Sequence, residues 1–384
     1  MVKSKTVKGK LVALVMLLIL ALVGTTVGCG AQPAATPTPP PAPAPAPAPA
    51  PADMKVGFVY VGSIGDAGWT FAQNQGRKYV ESKLPWVETM YVESVPPGAD
   101  FERVVREMIQ KGATVIFGTS FGYMDFMVNL AAQYPNVKFM HATGFKTAPN
   151  MSAYFGRVED ARYLSGMVAG LKTKTNRLGY VAAHPIPEVI LGLNAFTLGA
   201  RAVNPKATVQ VVWTNTWFDP AKEREAAITL LDAGADVIGQ HQDSPSAQQA
   251  AQERGAFGTG NNSDMRHMAP KATLTGPVWN WGPFYVEILQ SIRDGKWEST
   301  RHRWAMPDIV DLGPFNDALV PKDVQEKVLA KRQEIIDGKL FPFTGPIKDQ
   351  TGAVRVPAGT RMTEEELLGM NWLIEGVVGS LPTR

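Results

Sequence analysis

Short apolar segments alternate with helix-like segments from Met54 onward, and this order constrains the fold more than any other feature of the chain. Segments rich in β-branched and aromatic residues predict strands, and the longer amphipathic segments between them predict helices. Such alternation is typical of parallel sheets covered by helices, an α/β fold. The predicted strands are Lys55–Val61, Thr114–Gly118, Lys138–His141, Leu178–Ala182, Thr208–Thr214, Asp236–Gln240 and Thr273–Val278. The predicted helices are Gly68–Lys83, Asp100–Lys111, Met124–Gln133, Glu159–Leu171, Glu188–Val203, Pro220–Ala233 and Ser246–Arg254.

The alternation has a similar extent on either side of Thr173–Arg177. Roughly four strand–helix units on each side favour two doubly wound lobes over one long sheet. A chain of 384 residues is long enough for two such domains. We therefore predict two α/β lobes with a cleft between them.

The N-terminus has the pattern of an export signal. Four lysines precede an apolar run from Leu11 to Val23, which matches a signal-peptide core and is too short for a membrane span of roughly 20 residues. Cys29 follows this run and is the only cysteine, so a disulfide within the chain is impossible. The small residues before it resemble a bacterial lipobox, a signal in which the cysteine carries acyl chains such as palmitate. The prediction is a lipoprotein signal peptide over 1–28; a plain secretory signal with a chance cysteine is the alternative.

Residues 29–53 are predicted to be a tether. Between Gly30 and Ala52 the chain contains almost only Ala, Pro, Thr and Gln, and 10 of the 30 prolines lie between Pro33 and Pro51. Such a composition cannot bury a core, and alternating prolines favour extended polyproline II. The segment should space the folded part from the membrane.

Charge and motif content exclude several classes of function. Without the four N-terminal lysines, 34 basic residues balance 35 acidic ones, so a basic face for nucleic acid is not expected. The histidines are scattered and no P-loop is present, so neither a metal site nor a nucleotide cofactor is predicted.

The segments that follow the predicted strands are rich in aromatic and polar residues. In parallel sheets, ligands bind at the carboxyl ends of the strands. Flat rings offer stacking surface, and Asp and Asn offer directional hydrogen bonds, a combination suited to a planar heteroaromatic ligand. The candidate ligand-binding residues are Asp66, Trp69, Phe121, Gly122, Tyr123, Trp217, Asp243, Asp264, Trp279 and Trp281.

Each candidate has a purely structural alternative. A tryptophan near a strand end often packs between helix and sheet. Asp66 and Asp219 are each placed to cap the following helix, and Pro220 at the first helical position favours capping for Asp219.

A hydrolase is the rival interpretation of the strand ends. The segment Gly118–Gly122 matches the G-x-S-x-G nucleophile elbow, with Ser120 as the nucleophile. Five histidines are candidate bases, but none is identifiably paired with Ser120, and the usual glycine-rich oxyanion segment is missing upstream. A small residue at a sharp turn explains Ser120 more simply, so we predict a protein that is not an enzyme and keep a secreted serine hydrolase as the alternative.

Six motifs follow one another along the chain: Gly65–Thr70, Thr119–Asp125, Met151–Tyr154, Trp217–Pro220, Phe343–Asp349 and Gly369–Trp372. In this order they resemble the basic membrane protein family of ABC-transporter substrate-binding lipoproteins, and the resemblance covers essentially all of 54–384. It implies a type I periplasmic-binding-protein fold whose lobes, 54–176 with 280–306 and 177–279 with 307–384, are joined by three crossovers. It also implies a monomer that is lipid-anchored outside the cytoplasm, binds purines or nucleosides and works with a separate ABC permease in the membrane.

The late hinge departs from the nucleoside receptors of this family, which hold the ribose with carboxylates and a lysine. The stretch Thr275–Trp281 contains no lysine and carries two bulky indoles. This resembles a branch that takes free purine bases. The expected ligand is therefore adenine, guanine or hypoxanthine, captured by hinge closure without covalent change, and a purine nucleoside is the alternative.

Overall fold

The computed structural model describes residues 54–382, so the predicted signal peptide, Cys29 and the tether lie outside the described residues. The strands are β1 (Met54–Val59), β2 (Val87–Val92), β3 (Ala113–Gly118), β4 (Lys138–Ala142), β5 (Met151–Gly156), β6 (Arg177–Ala182), β7 (Thr208–Trp213), β8 (Val237–His241), β9 (Phe257–Gly258), β10 (Pro277–Trp279), β11 (Arg301–Trp304), β12 (Val310–Leu312), β13 (Ile347–Lys348), β14 (Val354–Val356) and β15 (Val377–Val378). The helices are α1 (Trp69–Lys83), α2 (Ala99–Gln110), α3 (Met124–Gln133), α4 (Val158–Lys172), α5 (Pro187–Val203), α6 (Pro220–Asp232), α7 (Ser246–Glu253), α8 (Trp281–Arg293), α9 (Lys322–Ile336) and α10 (Glu364–Leu368). Within 54–382, no helix has the length and apolar character needed to cross a bilayer.

Two parallel sheets form the frame of the molecule. The N-terminal lobe is built on a six-stranded sheet in the order β11-β5-β4-β3-β1-β2, and the C-terminal lobe on a five-stranded sheet in the order β15-β7-β6-β8-β9. Every pairing within these two sheets is parallel. The predicted α/β class with two lobes is confirmed.

Both faces of the first sheet are covered, as its apolar strands predict. Along β1, Phe58 packs in one cluster and Val59 in another, because successive side chains point to opposite faces. Helices α1 and α8 lie against each other near the first cluster, while Phe101 of α2 and Met127 of α3 belong to the second. This two-sided burial leaves the strand ends as the open edge.

The chain passes between the lobes at three places within the described residues. It crosses after β5, again at Asn280 between β10 and α8, and again between β11 and β12. Strands β10 and β12 pair antiparallel at the last two crossings. In place of the predicted strand Thr273–Val278, the structure has only the short strand β10, which lies outside both large sheets.

Helix α4 was predicted in the N-terminal lobe but packs on the C-terminal lobe, along α5. Glycines bring the two backbones into contact: a Cβ on Gly166 would lie 2.0 Å from the Phe196 oxygen, and one on Gly199 would lie 1.8 Å from the Tyr163 oxygen. The first crossover therefore comes before α4, near Arg157, rather than at residue 176. Small residues at a helix contact do not alter strand–helix periodicity, so the pattern alone missed this.

Candidate functional site

A cavity of about 330 Å³ lies between the two lobes. Five lining residues come from each lobe, and all lie at or beyond the carboxyl ends of strands. The N-terminal wall consists of Val61, Trp69, Ser120, Phe121 and Thr143, and the C-terminal wall consists of Glu188, Trp217, His241, Asp243 and Asn262.

Trp69 is the most firmly held residue of the N-terminal wall. Its indole N–H donates to the backbone oxygen of Thr119 at 2.6 Å. Behind it, the rings of Trp279 and Trp281 stack on each other at 4.5 Å, and both meet Trp69 edge-on, at 5.7 and 5.6 Å. Edge-to-face contacts of this kind favour one ring orientation, so the layer of indoles fixes the face that Trp69 turns to the cavity.

Asp66 fixes where α1 begins. Its carboxylate accepts hydrogen bonds from the backbone N–H groups of Gly68 at 2.8 Å, Thr70 at 2.8 Å and Phe71 at 2.9 Å. These are donors that the first helical turn leaves without partners. The capping interpretation accounts for Asp66, and Trp69 is thereby placed on the first turn. Asp219 caps α6 in the same way, accepting from the Lys222 N–H at 3.1 Å, as predicted.

The C-terminal wall carries ionisable groups. His241 ends β8, and its Nε2 lies 3.5 Å from Oε1 of Glu188 on the first turn of α5. Burial raises the pKa of Glu188 to about 7 and lowers the pKa of His241 well below its ordinary value. The imidazole is therefore neutral near pH 7, and the carboxyl group exchanges a proton in the same range.

Asp243 and Asn262 complete the polar side of the cavity. The Asn262 amide donates to Asp243 at 2.9 Å and accepts from the Trp279 indole at 2.9 Å. Burial, followed by the nearby Asp66 and Glu223 carboxylates, raises the pKa of Asp243 well above its ordinary value. Asp243 is thus a buried carboxyl group with an oxygen available to a ligand.

The two lobes touch at the edge of the cavity. The Ser263 hydroxyl of the C-terminal lobe donates to the backbone oxygen of Ala67 in the N-terminal lobe. A Cβ on Gly68 would lie 2.2 Å from the Asp243 backbone oxygen, so only glycine allows this approach. The described arrangement is a closed one.

The structure brings four of the predicted residues, Trp69, Phe121, Trp217 and Asp243, to the cavity. It places Trp279 and Trp281 in the layer behind Trp69, where Trp281 is buried. These indoles support the wall instead of lining the cavity.

Three other predicted residues lie away from the cavity. Tyr123 is fully buried in the N-terminal lobe, where it stacks on Phe101 at 4.0 Å and donates to the Val95 oxygen at 2.5 Å. Gly122 follows Phe121 in the same turn and faces Pro97, and Asp264 pairs with Arg266 at 2.8 Å. The sequence pattern predicted the turn after β3, but it did not show which side chains of that turn face the cavity.

Glu188 and His241 are lining residues that the sequence analysis did not select. His241 directly follows the predicted strand Asp236–Gln240, but the sequence analysis groups it with the scattered histidines. Glu188 was read only as the start of a helix. Both residues follow the carboxyl ends of neighbouring strands, and this position is the sequence signal that could have identified them.

Ser120 lines the cavity without the geometry of an activated nucleophile. The nearby His141 has its Nε2 2.8 Å from the backbone oxygen of Ser120, so the ring contacts the carbonyl rather than the hydroxyl. No group of metal-ligating side chains occurs within the described part of the chain.

The chain is similar to known proteins in sequence and in fold. The family described as ABC transporter substrate-binding protein PnrA-like matches residues 54–342. A purine-binding protein of Brucella abortus (strain 2308) is 45% identical over 331 residues, 86% of this chain and 94% of that protein. A putative ABC transporter glucose-binding protein of Haloferax volcanii is 41% identical over 330 residues, 85% of this chain and 81% of that protein.

A solved ABC transporter solute-binding protein from Conexibacter woesei superposes with a TM-score of 0.61 at 22% identity, covering 75% of this chain and 98% of that one. This likeness confirms the type I periplasmic-binding fold. The matched family is a substrate-binding, non-enzymatic one that acts outside the cytoplasm, so the hydrolase interpretation of Ser120 is set aside. The chain belongs to the PnrA-like family of ABC transporter substrate-binding proteins.

Proposed function

We propose that the cleft captures a free purine base, adenine, guanine or hypoxanthine, by closure of the two lobes. The observation that carries this proposal is the pair of walls: the aromatic rings of Trp69, Phe121 and Trp217 surround the same small cavity as Asp243 and Asn262. The 45% identical relative named as a purine-binding protein supports the same ligand class.

The energetics of the two walls suit a flat heterocycle. Stacking a base on an aromatic side chain is worth about 1–3 kcal/mol. Carboxyl and amide groups then distinguish ring nitrogens and exocyclic groups, because an unmatched buried donor or acceptor costs about 1–3 kcal/mol. Both walls contact the ligand only in the closed form, so the ligand favours closure.

A base fits the lining better than a nucleoside does. Among the cavity-lining residues of the described chain, none is Lys or Arg, the type of residue that would grip ribose hydroxyls. The stacked indoles of Trp279 and Trp281 also fill the space behind Trp69. That space is therefore not open to a ribose.

A sugar is the competing ligand class, because a 41% identical relative is named as a putative glucose-binding protein. Recognition of glucose requires polar partners for several hydroxyl groups. The N-terminal wall offers only the hydroxyls of Ser120 and Thr143 for that purpose. The aromatic surface favours the purine.

Titration calorimetry with purine bases, their nucleosides and glucose tests the proposal. We expect a base to bind at least tenfold more tightly than its nucleoside, about 1.4 kcal/mol, and glucose to give no measurable heat. Equal or tighter binding of adenosine, guanosine or inosine would contradict the base specificity alone. Binding of glucose without any purine would contradict the ligand class.

We also propose that Cys29 carries the lipid that holds this monomeric receptor at the outer face of the membrane, where it delivers its ligand to an ABC permease. The lone cysteine after the apolar run supports the anchor. Cys29→Ser should move the protein to the soluble fraction and abolish labelling by a fatty-acid probe, with unchanged ligand affinity. Thr26→Ser, which keeps the cysteine, is the control; membrane retention of Cys29→Ser would refute the anchor.

A further inference from the structure

Three buried polar atoms without hydrogen-bond partners converge behind the C-terminal wall. They are Nε of Arg162, the hydroxyl of Tyr180 and Nδ1 of His241. All three surround Gly192 on α5: from the position a Cβ would occupy there, they lie 3.5, 3.6 and 3.3 Å away, respectively. The glycine therefore keeps a side chain out of the region where these three polar atoms converge.

The remaining groups of these side chains are engaged elsewhere. The guanidinium of Arg162 donates through its other nitrogens to the Gln240 backbone oxygen and, at 2.5 Å, to Oδ1 of Asn261. Nε2 of His241 faces Glu188 at 3.5 Å. Buried polar atoms in native proteins almost always find a partner, and a buried water typically makes about three hydrogen bonds to such atoms.

We propose that a water molecule binds between Arg162, Tyr180 and His241 in the space beside Gly192, and that it sets the tautomer of His241. The water accepts from Arg162 Nε–H and donates to His241 Nδ1, and it also bonds the Tyr180 hydroxyl. The imidazole proton then resides on Nε2, directed at Oε1 of Glu188. This inference concerns the site of the proposed function, and its main readout requires no ligand.

The consequence for recognition concerns Glu188. With the His241 N–H directed at Oε1, 3.5 Å away, the other oxygen, Oε2, which has no partner within the protein, remains for a ligand N–H group. His241 is thus a positioning residue for Glu188. The water is the buried support that keeps it in the required tautomer.

A chloride ion is the competing occupant of the space. It would add a negative charge beside Glu188 and Asp243, and the burial of these carboxyl groups already disfavours their ionised forms. A neutral water satisfies the same atoms without that cost.

The test is long-range ¹H–¹⁵N correlation spectroscopy of the histidine rings in the full ligand-free chain. We expect the Nε2–H tautomer for His241, with its signal identified by its loss in His241→Asn. Gly192→Ala places a methyl group in the space and should shift His241 toward a mixture of tautomers. An unchanged tautomer in Gly192→Ala, or an Nδ1–H tautomer in the wild type, would overturn the proposal.

Further measurements distinguish a change of the His241 tautomer from a general loss of folding. Alanine favours a helix more than glycine does but leaves the three buried polar atoms unpaired, so Gly192→Ala should still unfold cooperatively, at a lower temperature than the wild type, while its affinity for the preferred purine should weaken about fivefold. Tyr180→Phe keeps the volume and removes one partner of the water, so it should shift the tautomer in the same direction by less. In crystals soaked in bromide, an anomalous peak at the space would identify an anion and refute the water.

Discussion

The two walls of the cleft present different chemistry to a ligand. The five residues of the N-terminal wall, all within the described chain, offer rings, a methyl-bearing side chain and hydroxyls and include no group that titrates near neutral pH. The C-terminal wall carries Glu188, His241 and Asp243, three ionisable groups with shifted pKa values. Both walls offer stacking surface, since Trp217 belongs to the C-terminal wall, whereas the ionisable groups belong to the C-terminal wall alone.

What stands behind each wall explains this difference. The N-terminal wall is backed by the indoles of Trp279 and Trp281, which hold Trp69 rigidly. The C-terminal wall is backed by the buried guanidinium of Arg162, which lies among carbonyl and amide oxygens. Affinity from stacking should therefore be insensitive to pH, and properties that depend on the C-terminal wall should vary with pH.

The largest effect should come from preventing the walls from meeting. Gly68→Ala places a Cβ 2.2 Å from the Asp243 backbone oxygen of the opposite lobe. We expect at least about a 100-fold loss of purine affinity, about 2.7 kcal/mol, because the closed form is blocked while each lobe stays folded. Calorimetry measures the affinity, and small-angle scattering should show that ligand no longer compacts the variant.

Gly65→Ala is the matched control for this change. It lies in the same loop, and its added Cβ would meet only the Ser63 hydroxyl at 3.7 Å. Its affinity should equal that of the wild type. If ligand compacts Gly68→Ala as much as it compacts the wild type, the contact at Asp243 does not define the closed form.

The next effect concerns the stability of the C-terminal wall. Burial raises the pKa of Glu188 from 4.5 to about 7, so the folded protein binds more protons than the unfolded chain between those values. The free energy of unfolding of the ligand-free protein should therefore fall as the pH rises through this window, with a contribution from Glu188 on the order of 2 kcal/mol. Glu188→Gln should remove that contribution, as measured by urea unfolding at pH 4.5, 6 and 7.5.

Glu225→Gln is a suitable comparison, because this exposed glutamate lies on α6, away from the cavity lining. It should leave the pH dependence of stability between pH 4.5 and 7 largely as in the wild type. An identical fall in stability for Glu188→Gln and the wild type would mean that Glu188 is not the group responsible.

A smaller effect is expected from the stacking wall. Phe121→Ala removes a partly exposed ring that lines the cavity, and it should weaken every purine by about tenfold, about 1.4 kcal/mol. The loss should be the same at pH 5.5 and pH 8, because the N-terminal wall does not titrate. Phe145→Ala removes the neighbouring ring, 6.5 Å from Phe121 and outside the lining, and should bind normally. A loss of affinity that varies with pH would contradict the claim that only the C-terminal wall titrates.

The smallest effect should follow from Ser120→Ala. Its hydroxyl contributes at most one modest hydrogen bond of about 1 kcal/mol, so affinity should stay within a few fold of the wild type. Turnover of an activated ester should be absent in both proteins. Ester hydrolysis by the wild type that disappears in the variant would contradict a purely binding role.

The fold and part of each wall could be predicted because both follow from periodicity. Strand–helix alternation gives parallel sheets, and parallel sheets place Trp69, Phe121, Trp217 and Asp243 at the edge where ligands bind. The pair Asp219–Pro220 also predicted the capping role of Asp219, since Asp is a favoured N-cap residue and Pro is favoured at the first helical position.

The remaining parts of the site depend on contacts between segments distant in sequence. Tyr123 lies in a turn that does reach the cavity, but its ring fits the space beside Phe101, and no local pattern encodes that fit. Glu188 and His241 come together because β6 and β8 are neighbours, although β7 lies between them in sequence. Pairing across the sheet, which periodicity does not specify, decides which polar residues share the cavity.

The most direct test of a cleft that closes on a purine base is competitive capture. The chain is unfolded and refolded to remove bound molecules, and it is then incubated with an equimolar mixture of adenine, guanine, hypoxanthine, adenosine, guanosine, inosine and glucose. Protein separated from free ligand is denatured, and the released molecule is identified by mass spectrometry. The account predicts recovery of a purine base in stoichiometric amount; recovery of a nucleoside or of glucose, or of no ligand at all, would contradict it.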